Sequence, residues 1–234
     1  MHIFIYNGKS SQDFGLVISG EDVWGKAKPV ITRTSVPGRN GDLLTSNHCF
    51  SNVDITYHVG IRDHFAIRFD ALMDHLLSDP GYHRLEDSYH PEHFRIAVME
   101  SQVSPKPGVL NRSGTIDLKF SCKPQLFLKS GERTVAFTAS GSIFNPTNYP
   151  AKPLLRVYGA GEVRIGNETF SITAADEYTD IDCDLEEAYK GAANKNANLL
   201  LRSGDFPQLA PGVTDIVPGS GISRIEITPR WWCV

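Results

Sequence analysis

Apolar and polar residues alternate along much of the chain, and this alternation limits the folds that it can adopt. In residues 53–61, VDITYHVGI, every second side chain is apolar, as in a strand that buries one face. The same period recurs in residues 115–122, 179–185 and 223–227. Because Gly and Pro turns separate these segments, the sequence predicts a mainly β protein built of antiparallel sandwiches.

One segment follows a helical period instead. Between residues 63 and 78, apolar side chains recur three or four positions apart, at Phe65, Phe69, Leu72, Met73, Leu76 and Leu77. Asp63 is placed to cap the first turn, and Pro80 with Gly81 forms a stop signal. We therefore predict one α-helix near residues 63–78, with its apolar stripe packed on a sheet.

The order of these elements divides the chain into two parts. Strands and the helix precede a boundary near residue 130, and only strands follow it. We predict two domains, residues 1–130 and 131–234, each of ordinary domain size. The sequence leaves open whether the last strand, residues 222–232, belongs to the second domain or returns to the first.

Charge and hydropathy argue against several classes of partner. A net charge of -4 disfavours tight binding to a phosphate backbone, which needs clustered Lys and Arg, so no sequence-specific nucleic-acid binding is expected. The apolar runs are shorter than the roughly 20 residues that span a bilayer, and the first residues lack the basic region of a signal peptide. We expect a soluble protein made in a cytoplasm, without membrane insertion.

A group of imidazole and carboxylate side chains lies between the predicted helix and the next strand. His83, His90 and His93 are close in the sequence, but their spacing matches no recognised set of metal ligands. Pro91 argues against a helix that would align two of them. We interpret the segment as a polar loop and expect no metal. The four cysteines are far apart, without a Cys-x-x-Cys pair, so neither a disulfide framework nor a zinc knuckle is predicted.

Two strands carry charged side chains whose faces follow from the alternation. In residues 93–98, Phe94, Ile96 and Val98 share one face of the strand. His93 and Arg95 share the other face. In residues 179–185, three aspartates alternate with core residues and are expected on a wet or partner-facing edge, namely Asp180, Asp182 and Asp184. This second segment does not match a calcium loop, because Leu185 stands where such a loop needs Gly.

Catalytic motifs are not evident in the sequence. Three glycine-rich pieces, residues 36–44, 158–167 and 217–223, lie between predicted strands, whereas a P-loop or a Rossmann fingerprint opens a helix. We find no nucleophile beside a base and no pair of carboxylates that the sequence would place across a cleft. The chain is therefore not expected to be an enzyme, and no cofactor is expected.

Interface candidates come from a turn, a loop and the chain end. Arg39, Asn40 and Gly41 fit a hairpin turn, because Asn-Gly supplies the positive φ values of tight turns. Two adjacent Trp side chains on a strand point to opposite faces, so one can meet a neighbouring domain or subunit. The candidate interface residues are Arg39, Asn40, His90, His93, Arg230, Trp231 and Trp232. The alternative, that both Trp residues pack within the chain, stays open.

Eight segments, taken in order, resemble the distal tail proteins (Dit family) of siphophages, the bacteriophages with long, flexible tails. They are residues 5–20, 34–44, 81–99, 118–131, 145–162, 181–191, 204–212 and 227–232. Each segment alone is a common turn or strand pattern. The resemblance lies in their order and spacing along nearly the whole chain.

The resemblance implies both a fold and a function. The N-terminal domain would be a β-sandwich with one helix and a hairpin, and copies of it would form a hexameric ring. The C-terminal domain would be a galectin-like β-sandwich. The ring would join the tail tube to the tail tip or baseplate, act as a hub for receptor-binding and other tip proteins, and leave a channel for DNA. The implied location is the virion tail tip, after synthesis in the host cytoplasm.

Two other functions compete with this one. The first is a carbohydrate-binding module or lectin, which is disfavoured because about 100 residues after the boundary hold only a bare sandwich. No aromatic platform can be assembled from the sequence alone, and a fold does not confer a sugar site by itself. The second is a tip enzyme such as a wall hydrolase, which the missing acid/base pair disfavours.

Overall fold

The computed structural model describes residues 2–99, 102–108, 110 and 112–234. These residues divide into two compact units, the first extending to Leu126 and including Val234, the second comprising Phe127–Cys233. Each unit has its own cluster of buried apolar side chains. The mainly β fold class predicted from the alternation is confirmed.

The first unit contains a long antiparallel sheet and one α-helix. Its elements are β1 Phe4–Tyr6, β2 Lys9–Ser10, a 3-10 turn Ser11–Phe14, β3 Leu16–Asp22, β4 Pro29–Ser35, β5 Asp42–Phe50, β6 Val53–Ile61, α1 Phe65–Leu77, β7 His83–Asp87, β8 His93–Val98, β9 Lys106–Pro107 and β10 Gly114–Leu128, which continues into the second unit. The sheet order is β2-β1-β7-β8-β10-β6-β3, and β9 also pairs with β10.

Strands β6 and β10 form the centre of this sheet. They pair from Gly114 opposite Ile61 to Cys122 opposite Val53. Both strands bury every second side chain, as the alternation predicts, and these side chains join one core. This ladder therefore fixes which face of the sheet receives the helix.

The predicted helix is confirmed as α1, and it buries Phe65, Leu72 and Leu76. The predicted cap at Asp63 is wrong. His64 occupies the cap position with a φ of 50° and makes no side-chain cap hydrogen bond, while Asp63 Oδ1 lies 3.0 Å from Arg68 Nη2. No helix in the described part of the chain is long and apolar enough to cross a membrane.

The helix packs on the sheet through a close contact between Gly114 and Phe65. A Cβ atom at buried Gly114 would lie only 2.3 Å from Phe65 Cε2. Gly60 lies on the neighbouring strand, where an added Cβ would be 3.9 Å from its nearest atoms. Two glycines of one ladder thus differ in the space that they leave for a side chain.

We predict that Gly114→Ala destabilises the first unit because the added methyl group displaces the Phe65 ring. The free energy of unfolding should fall by about 1–3 kcal/mol, as for overpacking in a filled core. Chemical denaturation followed by circular dichroism measures the change. Gly60→Ala is the matched control and should be neutral or slightly stabilising. Equal effects of the two substitutions would contradict this role of the contact.

The second unit contains two antiparallel sheets around one core. Its strands are β11 Val135–Phe137, β12 Gly141–Asn145, β13 Leu154–Gly159, β14 Gly161–Ile165, β15 Glu168–Ile172, β16 Tyr178–Asp182, β17 Glu187–Lys190, β18 Ala193–Asn194, β19 Leu199–Leu201, β20 Gly212–Pro218, β21 Ile222–Thr228 and β22 Trp232–Cys233, with 3-10 turns at Lys129–Glu132 and Asn196–Asn198. A six-stranded sheet has the order β11-β21-β13-β16-β17-β18, and a five-stranded sheet has the order β12-β20-β14-β15-β19, whereas β22 belongs to neither sheet and pairs with β10.

Strand β8 buries the face that carries Arg95, not the face of its larger apolar side chains. Arg95 and Ala97 are buried, whereas Phe94, Ile96 and Val98 are only partly buried. The physical reason is that β8 carries apolar residues on both faces, since Ala97 and Met99 share the face of Arg95 and also join the core. Alternation alone therefore does not orient this strand.

Candidate assembly site

Strands β4 and β5 form a hairpin that stands apart from the other sheets. Within the described residues, these two strands hydrogen-bond only to each other. Every residue from Lys28 to Cys49 is exposed. Several of the exposed side chains are large and apolar, namely Val30, Ile31, Val36, Leu43 and Leu44. The hairpin thus presents apolar surface that none of the other described residues covers.

The apolar side chains of the hairpin lie on both of its faces. Cross-strand partners share a face, so Leu44 lies with Arg33 on one side, and Leu43 lies with Thr34 on the other. An isolated two-stranded hairpin is marginally stable in water, and its two outer edges expose unpaired backbone groups. Both the faces and the edges are therefore available to another molecule.

Arg39 and Asn40 lie at the exposed tip of this hairpin. Residues 36–41 connect the strands, and the Arg39 N–H donates to the Val36 carbonyl at 3.1 Å. Positive φ values occur at Gly38 and Gly41, 80° and 84°, and not at Asn40. The hairpin is present as predicted, but the positive φ expected at Asn40 is wrong because the longer connection places it on the two glycines.

One carboxylate organises the loop that contains His90. Asp87 Oδ1 accepts hydrogen bonds from the backbone N–H groups of Tyr89, at 2.9 Å, and His90, at 2.7 Å. Its Oδ2 atom accepts from the hydroxyl of buried Tyr57 at 2.9 Å. Burial, followed by the nearby charge of Asp87, raises the pKa of Tyr57 well above its ordinary value. The loop is thus tied to the core of the first unit.

The imidazoles of this region have separate partners. His83 Nε2 lies 2.9 Å from the Asp79 carbonyl, and His90 Nδ1 lies 3.1 Å from Asp87 Oδ1. The described residues contain no group of three or more His, Cys, Asp or Glu side chains arranged to hold a metal ion. The structure therefore does not bring the three histidines together as a ligand set.

A partly exposed cluster of aromatic rings includes two residues of the loop, and it consists of His2, Trp24, Tyr89 and His90. The Trp24 ring is 62% exposed and lies 4.7 Å from the His90 ring. The Tyr89 ring stacks on His2 at 4.1 Å, and its hydroxyl donates to Glu21 Oε2 at 3.0 Å. Trp24 lies between β3 and β4, just before the hairpin, and exposed Trp is typical of contact surfaces.

His93 lies beside several cationic groups. Burial lowers its pKa, and the charges of His90, Lys26 and Arg95 act in the same direction, whereas Glu92 opposes them. The backbone N–H of His93 donates to the His90 carbonyl at 3.0 Å. Protonation of His93 in the folded state is therefore disfavoured.

We predict that His93 makes the first unit less stable in mild acid. The pKa of His93 is lower in the folded chain than in the unfolded chain, so the unfolded state binds the proton first as the pH falls. The free energy of unfolding should decrease from about pH 7 through the ordinary His pKa near 6.5 until the lowered folded pKa is reached. Thermal unfolding across this range, for the wild type and His93→Gln, measures the effect.

His93→Gln should show a shallower loss of stability in this pH range than the wild type. His48→Asn serves as the control because His48 is exposed on the hairpin and has a φ of 54°, which Asn tolerates. The control should keep the wild-type pH dependence. Identical pH profiles for His93→Gln and the wild type would contradict the prediction.

The aspartates of β16 are not on a wet edge, so that prediction is wrong for two of them. Asp180 and Asp182 are buried, and only Asp184 is exposed. The strand lies between β13 and β17, inside the six-stranded sheet. Each buried carboxylate is paired with a guanidinium, Asp180 with Arg156 at 2.6 Å and Asp182 with Arg230 at 2.7 Å. These ion pairs allow the charges to be buried.

The three candidate residues at the chain end take part in the packing of the second unit. Arg230 donates two hydrogen bonds to Asp182, at 2.7 and 2.8 Å. Trp231 is 5% exposed and belongs to the core. Trp232 stacks on Tyr149 at 4.5 Å and donates its Nε1–H to the Pro150 carbonyl at 3.0 Å. Both Trp residues thus make contacts within the chain, and the interface predicted at Arg230, Trp231 and Trp232 stays a prediction.

The Asp182–Arg230 pair fixes the end of the second unit. Burial raises the pKa of Asp182, but the hydrogen bonds from Arg230 and from the backbone N–H of Leu185 outweigh that effect, so its pKa is lowered overall. Removal of Arg230 would leave a buried carboxylate without its cationic partner.

We predict that Arg230→Ala lowers the free energy of unfolding by roughly 2–4 kcal/mol, because an uncompensated charge remains in the interior. Chemical denaturation measures the loss. Arg202→Ala is the control, since it breaks an exposed ion pair with Glu162 and should cost roughly 0–1 kcal/mol. A loss for Arg230→Ala no larger than that of the control would show that the pair does not stabilise the unit.

Sequence reasoning missed the apolar side chains of the hairpin and the exposed Trp24. A usable signal for the hairpin was present in VITRTS and DLLTSN, residues 30–35 and 42–47, which flank a Gly-containing turn. Neither strand has one consistent apolar face, as expected of strands that do not pack on a core. Trp24 had no comparable signal, because its ring neighbours come from distant parts of the chain.

Comparison with known proteins supports the fold. No family model matches the sequence, and no curated protein matches it. The structure is similar to the SPP1 Dit (gp 19.1) protein, described as a paradigm of hub adsorption apparatus in phages that infect Gram-positive hosts, with a TM-score of 0.76 and 15% identity over 97% of this chain and 98% of that chain.

It is also similar to chains of the phage P2 baseplate in its activated conformation. For the form with Ca the TM-score is 0.57, at 9% identity, over 97% of both chains. For the form with Sr the TM-score is 0.55, at the same identity and coverage, 9% and 97%. At these identities the comparisons establish the fold, and the resemblance expected from the sequence is confirmed at that level.

Proposed function

We propose that the protein is a structural component of a phage tail, a non-catalytic hub that joins the tail tube to the tail tip or baseplate. The observation that carries the proposal is the hairpin β4–β5, exposed on both faces and along both edges. The shared fold with the SPP1 Dit protein and with phage P2 baseplate chains supports a tail role.

The hub is a hexameric ring of copies of this chain. In a closed ring, each copy contacts its two neighbours through two different surfaces. A projecting element and the surface that binds it on the next copy are therefore both present in every chain. The hairpin supplies the first surface, with its apolar side chains and its unpaired edges. The ring leaves a central channel for DNA, and a net charge of -4 suits a conduit that must not retain it.

The two domains have different tasks in this proposal. Residues 1–130 form the ring, and residues 131–234 form a galectin-like β-sandwich outside it. That sandwich offers a docking surface for receptor-binding or baseplate proteins, while the ring contacts the tail tube and a tail-tip protein. The assembled protein resides at the virion tail tip after synthesis in the bacterial cytoplasm.

We predict that the purified protein has the mass of a hexamer, or of a multiple of it, and that the hairpin drives this assembly. Light scattering across a concentration series, with negative-stain images of the same fraction, measures the mass and reveals rings. Leu44→Glu should shift the population toward monomers, because it places a charge on a 60% exposed apolar side chain that the proposal buries between copies.

Ile67→Glu is the matched control for this experiment. Ile67 is 71% exposed on the outer side of α1 and lies outside the hairpin. It should leave the mass unchanged. A monomer at every concentration, or equal effects of the two substitutions, would contradict a ring built through the hairpin.

A further inference from the structure

The second unit contains an open cleft of about 560 Å³. Its walls are the turn between β14 and β15 and the loop between β19 and β20, and its floor is the start of β20. The side chains of interest are Arg164, Asn167, Glu168, Phe206, Gln208 and Asp215. All of the lining residues belong to one unit, so the cleft exists in a single copy of the chain.

The walls of the cleft are held by the backbone of the sheet. The Gly166 N–H donates to the Asp215 carbonyl at 2.8 Å, which fastens the turn to β20. Gly166 has a φ of 57°, and an added Cβ there would be 3.2 Å from Thr214 Cγ2, so the turn lies directly against the strand. Polar groups on such a support need little reorganisation when a ligand binds.

Several polar side chains of the cleft are unused by the protein. Asn167, Gln208 and Asp215 are exposed, and their side chains make no hydrogen bond or ion pair with the described residues. In contrast, the Glu168 carboxylate accepts a hydrogen bond from the Ser203 hydroxyl, and the Arg164 guanidinium donates one to the Gly166 carbonyl at 3.2 Å. The cleft therefore combines free amide and carboxylate groups with others that are already fixed.

Apolar surface accompanies these polar groups. Phe206 is partly buried against the core of the unit and also lines the cleft. Val213 lines it as well and is 68% exposed. An aromatic or aliphatic surface beside amides and carboxylates suits a ligand that has both C–H faces and hydroxyl groups.

We infer that this cleft binds a neutral saccharide. Amide and carboxylate side chains match sugar hydroxyls, which both donate and accept, while Phe206 and Val213 pack against the C–H face of a sugar ring. Three carboxylates against one guanidinium, namely Glu168, Asp205 and Asp215 against Arg164, disfavour anionic glycans. Because the cleft is open, it can bind a segment of a long polysaccharide as readily as a free oligosaccharide.

A basic peptide is the competing ligand, because it would also satisfy the carboxylates. The cationic side chains of such a peptide would meet the guanidinium of Arg164 beside the carboxylates, whereas a neutral saccharide can hydrogen-bond to both kinds of group, so the lining favours the saccharide. This inference is independent of ring formation, since the cleft is complete in one copy of the chain.

The test is a titration of the full chain, by calorimetry and by saturation-transfer NMR, with lactose, maltotriose, chitotriose and tetralysine. We expect at least one oligosaccharide to bind with a dissociation constant of about 0.1–10 mM, the weak range that few contacts in an open site allow. Gln208→Ala and Asp215→Ala should each weaken binding about fivefold or more, as loss of roughly 1 kcal/mol per hydrogen bond implies.

Gln12→Ala provides the matched control, because Gln12 is exposed in the first unit and lies far from the cleft in sequence. It should bind the same oligosaccharide with unchanged affinity. Circular dichroism of all three variants ensures that a loss of binding is not a loss of folding. Absence of binding to every oligosaccharide would overturn the inference. So would binding that survives both cleft substitutions, or binding of tetralysine alone.

Discussion

The pairing of β6 with β10 is the interaction on which the first unit depends. Nine residue pairs run from Gly114 opposite Ile61 to Cys122 opposite Val53, and both strands bury alternate side chains in one core. A register slip of one residue would turn every apolar side chain of a strand toward solvent. The position of α1 follows from this ladder, because Phe65 rests on the one place where β10 lacks a side chain.

The hairpin β4–β5 has the opposite character. The ladder satisfies its hydrogen bonds and buries its apolar groups within the chain, whereas the hairpin leaves the backbone groups of its outer edges unpaired and its apolar side chains exposed. Edge strands of soluble proteins are commonly protected against association by charge, Pro or a covering element. Along the hairpin, Leu43 and Leu44 stand exposed on opposite faces. Such an element is typical of a chain that completes its structure in an assembly, and this links the fold to the proposed ring.

Local patterns predicted the elements that depend on neighbours in the sequence, and the error at the buried aspartates came from long-range pairs. The strand β6 and the helix α1 were predictable because one period describes each of them. The buried aspartates were not, since Asp182 is stabilised by Arg230, a residue far away in the chain. The cleft could not be predicted from the sequence either, because its walls come from a turn and a loop that meet only in the folded sheet. An apolar residue in a sequence indicates burial by itself, whereas a charged residue does so only when its oppositely charged partner is known.

The place of β21 in its sheet has a consequence for the order in which the protein forms during synthesis. This strand is the last of the six strands of its sheet in chain order, yet it lies between β11 and β13 rather than at an edge. The six-stranded sheet therefore cannot close until residues 222–228 have been synthesised, and its long-range pairing is intrinsically slow. The strands of the first unit emerge much earlier, and domains generally fold as they appear. The chain thus acquires its projecting hairpin before it acquires a complete second core.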